Sequence, residues 1–208
     1  MDPNPPEKPN RALIAGVDEA GRGPWAGPVV AAAVVLHRQS LPVRIDDSKR
    51  LSPPARTRAC AMILASADVG IGIACAEEID RHNILRATLL AMQRAVADLP
   101  RRPHRLLIDG TAAPAIDIPC ETMIHGDQRN YLISCASIVA KVIRDRMMLF
   151  YDALYPGYAF GIHKGYGTPV HAAHLQRLGP CLLHRRTFAP VREWQHHGHI
   201  TTLTDTAV

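Results

Sequence analysis

Apolar runs and turn residues divide the first third of the chain into segments typical of strands and helices. Residues 11–18 and 28–36 are apolar runs, and the Gly/Pro-rich segment GRGPWAG between them predicts two strands joined by a turn. Residues 52–67 begin Ser-Pro-Pro and carry apolar residues at helical spacing, which predicts a helix. Residues 69–76 follow as a third predicted strand.

Helices and strands alternate in the rest of the chain. Residues 83–99 place their apolar side chains on one stripe and predict a helix. Residues 105–109 and 118–124 are predicted strands, and a long helix is predicted over residues 128–155. A short helix is expected near Pro169–Leu178. Because crossover helices join parallel strands, the pattern predicts an α/β fold with a mixed central sheet flanked by helices and a helical C-terminal portion.

Length and composition indicate one globular domain. The chain has 208 residues, of which 47% are apolar and 21% are charged. We expect the domain to span residues 11–192, with flexible tails at residues 1–10 and 195–208. The longest weakly polar run, residues 24–36, is shorter than the roughly 20 residues that cross a bilayer, and the N-terminus lacks the apolar core of a secretory signal. These features predict a cytoplasmic protein with no membrane contact, and we expect a monomer.

Histidine and cysteine are frequent but form no recognisable metal site in the sequence. The five cysteines are scattered without a C-x-x-C pair, so we interpret them as reduced, small apolar residues. His171 and His174 have a spacing that places both on one helix face, but no H-E-x-x-H motif or third ligand accompanies them. We therefore expect a surface helix at this point instead of a zinc site.

Positive charge is concentrated in the C-terminal third of the chain. The formal net charge is +5, and residues 141–194 carry eight Lys and Arg against three Asp and Glu. The rest of the chain has equal numbers of basic and acidic residues. A basic segment on a neutral body indicates a polyanionic partner, most commonly nucleic acid.

Four acidic residues occupy positions where a core residue is not expected. Asp18 and Glu19 follow the first apolar strand and Asp109 ends a later one, so all three lie where strands leave the sheet. Asp127 directly precedes the predicted long helix. Taken singly, Asp127 has the alternative role of a helix N-cap, and Asp109 that of a solvated loop residue. All four could also converge on one end of one sheet.

Convergence of four carboxylates would require protons or cations. Two unit charges about 4 Å apart repel by roughly 4 kcal/mol at an effective dielectric constant of about 20. Oxygen-only ligands favour Mg²⁺ or Mn²⁺, and two such ions form the clamp used for in-line phosphodiester displacement. Neighbouring strand residues point to opposite faces, so Asp18 and Glu19 can share a site only if the strand ends or bends there. Gly21 and Gly23 would allow this.

The loop Gly21-Arg22-Gly23 directly follows the first two acids. Glycine lets a backbone approach a ligand closely, and Arg pairs with phosphate in a fork geometry. By itself the loop is equally compatible with a hairpin turn. Beside two acids and with a basic C-terminal third, we interpret it as a clamp on a sugar-phosphate backbone.

Seven blocks of the sequence, in the family's order, resemble bacterial ribonuclease HII, the type 2 ribonuclease H. The resemblance covers about residues 11–192. The blocks are AGVDEAGRGPWAGPVVAAAVVL (15–36), DDSKRLS (46–52), NILRATLLAMQRAV (83–96), LLIDG (106–110), HGDQRNYLISCASIVAKVIRDRMM (125–148), HKGYGT (163–168) and HRRTFAP (184–190). The resemblance implies a ribonuclease H-like fold and endonucleolytic cleavage of the RNA strand of RNA/DNA hybrids. It also implies incision at single ribonucleotides embedded in duplex DNA, leaving 3′-hydroxyl and 5′-phosphate ends, with Mg²⁺ or Mn²⁺ at a two-ion site.

The same resemblance implies roles for individual residues. The implied metal ligands and catalytic residues are Asp18, Glu19, Asp109 and Asp127. Gly21, Arg22 and Gly23 match the loop that senses the 2′-hydroxyl and the nearby phosphate. Tyr166 matches the tyrosine that packs on the sugar at the RNA-DNA junction, and Lys49 matches a phosphate-contacting lysine.

Further substrate contacts are expected in the basic C-terminal third. Arg185 and Arg186 lie in a block that resembles a backbone-contacting segment, and Lys164 belongs to the HKGYGT block. Asp145 stands between two arginines, and we interpret it as a structural ion-pair partner instead of a fifth ligand.

The sequence departs from the family pattern at three positions, none of which is a proposed ligand. Trp25 stands where the family often has a smaller apolar residue, Cys135 replaces the usual alanine, and Thr187 replaces serine.

Two other functions remain open at this point. A nucleic-acid-binding module that kept the fold and lost the chemistry would have little need for all four acids. A polynucleotidyl transferase or resolvase of the same fold would share the acids but differ in the GRG loop and the HKGYGT block. Ribonuclease HIII, a sister group, carries an extra N-terminal domain, whereas about ten polar residues precede the first predicted strand here. The sequence therefore favours the hybrid-specific nuclease.

Overall fold

A mixed five-stranded sheet lies at the centre of the protein. The structure, a computed structural model, describes residues 12–199. In chain order the strands are β1 (Ile14–Ala20), β2 (Val29–Leu36), β3 (Ala67–Ala74), β4 (Arg105–Asp109) and β5 (Cys120–Met123). Their order across the sheet is β3-β2-β1-β4-β5, with antiparallel pairs from β1 to β3 and parallel pairs from β1 through β4 to β5. The predicted mixed sheet is confirmed.

Helices cover both faces of this sheet. In chain order they are α1 (Pro53–Leu64), α2 (Ala76–Ala97), α3 (Gly126–Arg129), α4 (Tyr131–Leu154), α5 (Phe160–His163), α6 (Pro169–Leu178) and α7 (Ala189–His197). α2 packs on the face that carries Ala15 and Val17 of β1. α1 and α4 pack on the opposite face, which carries Ala32 and Val34 of β2. Because both faces of the sheet are covered, β2 is a continuous apolar run and does not alternate between apolar and polar residues.

The close approach of α4 to β1 depends on Gly16. A Cβ atom at this position would lie 2.2 Å from the carbonyl carbon of Leu132 and 2.6 Å from the backbone nitrogen of Ile133. Any side chain there would therefore push the helix away from the strand. The packing brings Ser137, one helical turn further along α4, to the carboxyl end of β1, where its hydroxyl donates a hydrogen bond to Asp18.

The helix predicted over residues 83–99 begins earlier in the structure. α2 starts at Ala76 and contains a kink at Asn83, whose φ is +67°. Its first turn is closed by Glu78, whose carboxylate accepts a hydrogen bond from the Cys75 backbone N–H at 3.0 Å. Because cysteine is not a preferred N-cap residue, the sequence carried no start signal at this point.

The long helix predicted over residues 128–155 is divided into α3 and α4. Asn130 is the N-cap of α4, and its side chain accepts hydrogen bonds from the backbone N–H groups of Leu132 and Ile133. Asp127 lies within the first turn of α3 and does not cap the long helix. The division separates the short turn that carries Asp127 from the buried helix that follows.

The C-terminal portion is helical, as predicted, with two differences. α5 and α7 were not predicted, and α7 continues to His197, so residues 195–197, which were expected in a flexible tail, are helical. The predicted N-terminal tail and residues 200–208 lie outside the described residues. The surface helix expected at this point is present as α6, which has one exposed face, but the side chain of His171 lies on its other face and is fully buried.

The structure also bears on membrane contact and on the cysteines. No helix among the described residues combines the length and the apolar character needed to cross a membrane. All five cysteines lie in the described part of the chain, and they form no disulfide with one another. Cys60 and Cys135 are buried as small apolar residues, whereas Cys75 is exposed.

Candidate active site

Asp18 and Asp109 lie next to each other at one edge of the sheet. The parallel pairing of β1 with β4 sets Val17 opposite Ile108, so the following residue of each strand is an acid at the same level. β1 ends one residue beyond Glu19, and Gly21, with φ of +98°, turns the chain away from the sheet. The sheet edge therefore collects the first three predicted acids.

Burial opposes ionisation of the carboxyl groups at this end of the sheet. Asp18 is only 4% exposed, and burial raises its pKa well above the usual range, with the charges of Glu19 and Asp109 adding to the shift. The Ser137 hydroxyl and the Glu19 backbone N–H, which lies 2.7 Å from Asp18 Oδ1, oppose it. Burial also raises the pKa of Glu19, with Arg22 opposing and Asp109 adding. These carboxyls therefore take up a proton or a cation more readily than solvated acids do.

Asp127 reaches the same edge from α3. The backbone N–H of the preceding residue, Gly126, donates a hydrogen bond to Asp109 Oδ1 at 2.6 Å, which ties α3 to the end of β4. Asp127 is 7% exposed. Burial raises its pKa, and the charges of Asp109 and Asp47 raise it further. All four predicted acids thus interact electrostatically, directly or through Asp109.

The donor set at this edge consists of carboxylate oxygens and fits a hard divalent cation. Among residues 12–199, no three Asp, Glu, His or Cys side chains are already gathered into a group that could hold a metal ion. The raised pKa values of Asp18, Glu19 and Asp127 mark the place where added positive charge is most favourable.

Two buried arginines hold the GRG loop from beneath. Arg185 donates from Nη1 to the Arg22 carbonyl at 2.8 Å and from Nη2 to the Gly21 carbonyl at 2.5 Å. Its Nε donates to the Gly27 carbonyl at 3.0 Å. Arg144 is also fully buried, and its guanidinium donates to the carbonyls of Ala26, Pro28 and Lys164. The backbone shape of the loop is therefore fixed by guanidinium groups that lie behind it.

This arrangement corrects the role expected for Arg185. A direct contact with substrate requires an accessible guanidinium, whereas Arg185 is fully buried and already bonded to loop carbonyls, so it is a positioning residue. Arg186 is exposed, and its backbone N–H donates to Asp80 Oδ2 at 2.8 Å. Thr187 donates to Asp80 through its backbone N–H at 2.9 Å and its hydroxyl at 2.6 Å. A serine hydroxyl could make the same bond, so this departure from the family is conservative.

Tyr166 lies beside Gly23 of the GRG loop, and we call the space between the Gly23 backbone and the Tyr166 ring the gap. A Cβ atom added at Gly23 would have the Tyr166 ring as its nearest neighbour, at 4.0 Å, and Tyr166 is 42% exposed. The Lys141 ammonium lies 5.7 Å and the Arg144 guanidinium 5.8 Å from the ring centroid. Cations at this distance attract the face of an aromatic ring. The gap is thus bordered by backbone on one side and by a held aromatic ring on the other.

The other predicted substrate contacts differ in exposure and in their partners. The Arg22 side chain is half exposed, and its Nη1 lies 3.4 Å from the Glu19 carboxylate. Lys49 is exposed, and its backbone N–H donates to Asp47 Oδ1 at 2.9 Å. Lys164 is half-buried, and its ammonium donates to a carbonyl of α5. Arg22 and Lys49 therefore lie at the surface near acids, whereas Lys164 is partly engaged in the fold.

Three side chains that shape this site were not predicted from the sequence. Asp47 raises the pKa of Asp127, and Ser137 donates to Asp18. Arg144 supports both the GRG loop and the segment before Tyr166. All three lie inside blocks that resemble the family, which was the only available signal. The ion pair expected for Asp145 is present, but its partners are Lys141, whose Nζ donates at 2.8 Å, and Arg56 instead of the adjacent arginines.

Comparison with known proteins places the sequence in one family. The model of the ribonuclease HII family matches residues 15–191. Ribonuclease HII of Rhizorhabdus wittichii is 55% identical over 181 residues, which cover 87% of this chain and 90% of the relative. Ribonuclease HII of Coxiella burnetii is 50% identical over 194 residues, which cover 93% of this chain and 96% of the relative.

Solved structures of related proteins show the same fold. The ribonuclease H2 of Pyrococcus horikoshii superposes with a TM-score of 0.74 at 24% identity, over 88% of this chain and 97% of the other. Bst-RNase HIII in complex with Mn²⁺ superposes with a TM-score of 0.68 at 18% identity, over 89% of this chain and 70% of the other. The expected ribonuclease H-like fold is confirmed. With a family match over nearly the whole described chain and relatives sharing half or more of its residues, the protein is a member of the ribonuclease HII family of ribonuclease H endonucleases.

Proposed function

We propose that this ribonuclease H endonuclease cleaves the RNA strand of RNA/DNA hybrids and incises duplex DNA at single embedded ribonucleotides, leaving 3′-hydroxyl and 5′-phosphate ends. The observation that supports this proposal is the position of the exposed Tyr166 ring beside Gly23, in the loop that directly follows Asp18 and Glu19. A site lined by backbone atoms and an aromatic ring recognises the shape of a sugar without contacting the base. The 2′-hydroxyl is the group that distinguishes RNA from DNA at a sugar.

We propose two divalent cations, Mg²⁺ or Mn²⁺, as cofactors. The residues that would hold them are Asp18, Glu19, Asp109 and Asp127. Bound there, the ions would activate the attacking water and stabilise the leaving 3′-oxygen. The chain orients its own ligands: Ser137 donates to Asp18, and the Gly126 backbone N–H donates to Asp109. The Mn²⁺ complex of Bst-RNase HIII, which shares the fold, supports a divalent cation.

The substrate contacts divide between sugar and phosphate. The backbone of Gly21 and Gly23 approaches the 2′-hydroxyl, while Tyr166 packs on the neighbouring deoxyribose. Arg22, Lys49 and Arg186 are exposed cations that contact phosphates, and Lys164 contributes to the same positive surface. Because these assigned contacts are to sugars and phosphates and not to base edges, cleavage should be nearly independent of base identity.

We also propose that the protein acts as a monomer in the cytoplasm. All residues assigned to substrate and cation come from one chain, so a second copy has no required part in the site. Its relatives are bacterial, and a bacterial cell keeps its DNA in the cytoplasm.

The function is tested with two substrates, a DNA duplex holding one ribonucleotide and a long RNA/DNA hybrid, each with and without Mg²⁺. The wild-type protein should cut both, only with the cation, and leave 3′-hydroxyl ends. Tyr166→Ala should lower cleavage at the single ribonucleotide about tenfold more than cleavage of the hybrid, the equivalent of one well-packed aromatic contact. Only the single-ribonucleotide substrate always presents an RNA-DNA junction at the tyrosine.

Tyr158→Phe is the matched control, because its hydroxyl donates to the Gly179 carbonyl away from the gap. It should leave the ratio of the two rates unchanged. An equal loss on both substrates in Tyr166→Ala would mean that Tyr166 supports general catalysis or the fold. No cleavage of either substrate by wild type would overturn the proposed function itself.

Phosphate contacts are tested through the salt dependence of binding. Lys49→Ala and Arg186→Ala should each weaken binding to any duplex and reduce the slope of log affinity against log salt by about 0.9, the value for one released counterion. Arg101→Ala is the control. Arg101 forms an ion pair with Asp68 and precedes β4, so it lies at the opposite end of that strand from Asp109. Binding is measured with Ca²⁺ in place of Mg²⁺. An unchanged slope in both test variants would place these charges away from the substrate.

A further inference from the structure

Three buried histidines lie side by side behind Tyr166. His163, His171 and His184 are 7%, 0% and 2% exposed. The rings of His163 and His171 stack with centroids 4.2 Å apart, and the Nε2 atoms of His171 and His184 lie 3.0 Å apart. They come from α5, α6 and the segment before α7, so the cluster joins three parts of the C-terminal portion.

The neighbours of His163 determine which of its ring nitrogens carries the proton. The Gly165 backbone N–H donates to Nδ1 at 3.1 Å, so Nδ1 is an acceptor. The other nitrogen, Nε2, lies 2.8 Å from the Tyr158 carbonyl oxygen and must therefore donate. His163 is thus neutral, with its proton on Nε2, and it fixes the turn that leads to Tyr166.

The same reasoning orders the other two rings into a chain of hydrogen bonds. The Cys181 backbone N–H donates to His184 Nδ1 at 3.0 Å, so the proton of His184 is on Nε2 and is donated to His171 Nε2. His171 then carries its proton on Nδ1 and donates it to the Tyr166 carbonyl at 2.9 Å. His184 and His171 thus each accept on one ring nitrogen and donate from the other, and the chain ends on the backbone of Tyr166.

This chain also connects the Tyr166 segment to the GRG loop. The Trp25 backbone N–H donates to the Gly165 carbonyl at 2.8 Å, and the Trp25 ring lies 5.3 Å from the His171 ring. Ala26 forms an isolated β-bridge with His184. The two sides of the gap are therefore fixed to each other through the histidines.

We propose that His171 is the positioning residue for Tyr166, and that it acts by donating from Nδ1 to the Tyr166 carbonyl while His184 holds its other nitrogen. The proposal deepens the proposed function, because the position of Tyr166 matters only if that ring packs on the sugar at the junction. Adding a proton to any ring of the trio would set two donors against each other, so the chain exists only with three neutral imidazoles.

The surroundings keep these rings neutral at physiological pH. Burial lowers the pKa of His171 to about 3 and that of His184 to about 4, and it also lowers the pKa of His163. The charged or titratable groups that face the trio are Asp152 of α4, Lys164 after α5, His174 of α6 and Cys181 before His184. The one carboxylate among them acts on His163 and is opposed there by Lys164 and His174.

Two substitutions distinguish the roles of the two ring nitrogens of His171. The amide of Asn in His171→Asn lies where Nδ1 was and can donate to the Tyr166 carbonyl, but it does not reach His184. The amide of Gln in His171→Gln reaches the place of Nε2 and can accept from His184, but it leaves the Tyr166 carbonyl without its donor. Both variants remove the ring from the same packing site, so they should lose similar thermal stability.

The measurement is the ratio of cleavage at a single ribonucleotide to cleavage of a long hybrid. His171→Asn should keep this ratio within about twofold of wild type, whereas His171→Gln should lower it about three- to tenfold, the worth of one hydrogen bond. A folded His171→Gln protein with the wild-type ratio would overturn the proposal. An equal decrease of the ratio in His171→Asn and His171→Gln would also overturn the proposal, because it would show that His171 acts only by packing.

A second measurement does not depend on the proposed function. Long-range ¹H–¹⁵N correlation spectra of the imidazoles at neutral pH should show the proton on Nδ1 of His171 and on Nε2 of His163 and His184. A proton on Nε2 of His171 would overturn the hydrogen-bond chain whatever the activity. If the tautomers are as stated but Tyr166→Ala leaves the substrate ratio unchanged, the role of Tyr166 in the proposed function fails, and the positioning of its backbone by His171 stands.

Discussion

The Asp18→Asn protein is expected to lose cleavage by several orders of magnitude while it remains folded. Asn keeps the size of the side chain and an oxygen that can accept from Ser137, so the buried position should still be filled. It removes the charge that a divalent cation needs at the sheet edge. Cleavage of a hybrid and thermal melting without metal are measured on the same preparation.

Asp117→Asn is the matched control, because Asp117 is a fully exposed acid whose carboxylate pairs with Arg102 at the surface. It should retain wild-type activity. If Asp18→Asn still cuts well, Asp18 is not a ligand. If it melts far below wild type, the residue supports the fold instead.

The pH dependence of stability gives the Asp18 experiment a second readout. Burial and the neighbouring charges raise the pKa of Asp18 in the folded protein, so ionising it opposes folding at neutral and higher pH. Asp18→Asn should therefore melt at the same temperature as metal-free wild type or slightly higher at neutral pH. The difference should disappear as the pH falls through the raised pKa towards the ordinary carboxyl value of about 3.9, because wild-type Asp18 is then neutral as well.

The sequence predicts that Asp18 and Asp109 lie at strand ends because the end of an apolar strand is a local feature of the sequence. A short apolar run ending in an acid, as at Asp18 and again at Asp109, needs no knowledge of distant residues, and β4 has the predicted bounds. The parallel pairing that makes these two acids neighbours follows from α/β organisation. That part of the candidate site could therefore be predicted before the structure was known.

The support behind the site could not be predicted in the same way. Arg185 bonds to carbonyls more than 150 residues away in the sequence, and nothing local distinguishes it from exposed Arg186 beside it. The burial of His171 was not predicted, because helical spacing shows which residues share a face but not what covers that face. The kink at Asn83 had no sequence signal either, since it depends on a positive φ that non-glycine residues seldom adopt.

Gly23→Ala is the second large effect we expect. Gly23 does not have a positive φ, and a Cβ atom there meets only the Tyr166 ring at 4.0 Å, so the protein should fold and melt like wild type. The added methyl group would nevertheless stand in the gap between the loop and Tyr166, where the sugar is expected to lie. A displacement of about 1 Å at a reacting centre costs roughly a hundredfold in rate, and we expect a loss of that size.

The same substitution at Gly21 should fail for a different reason, which makes the pair decisive. Gly21 has a φ of +98°, and its Cβ atom would lie 2.0 Å from Arg144 Nε, so Gly21→Ala should lower the melting temperature as well as the activity. Because every substrate carries a 2′-hydroxyl at the cut, Gly23→Ala should slow single-ribonucleotide and long-hybrid cleavage alike, unlike Tyr166→Ala. A Gly23→Ala protein that cuts both substrates at the wild-type rate would show that no sugar enters the gap between Gly23 and Tyr166.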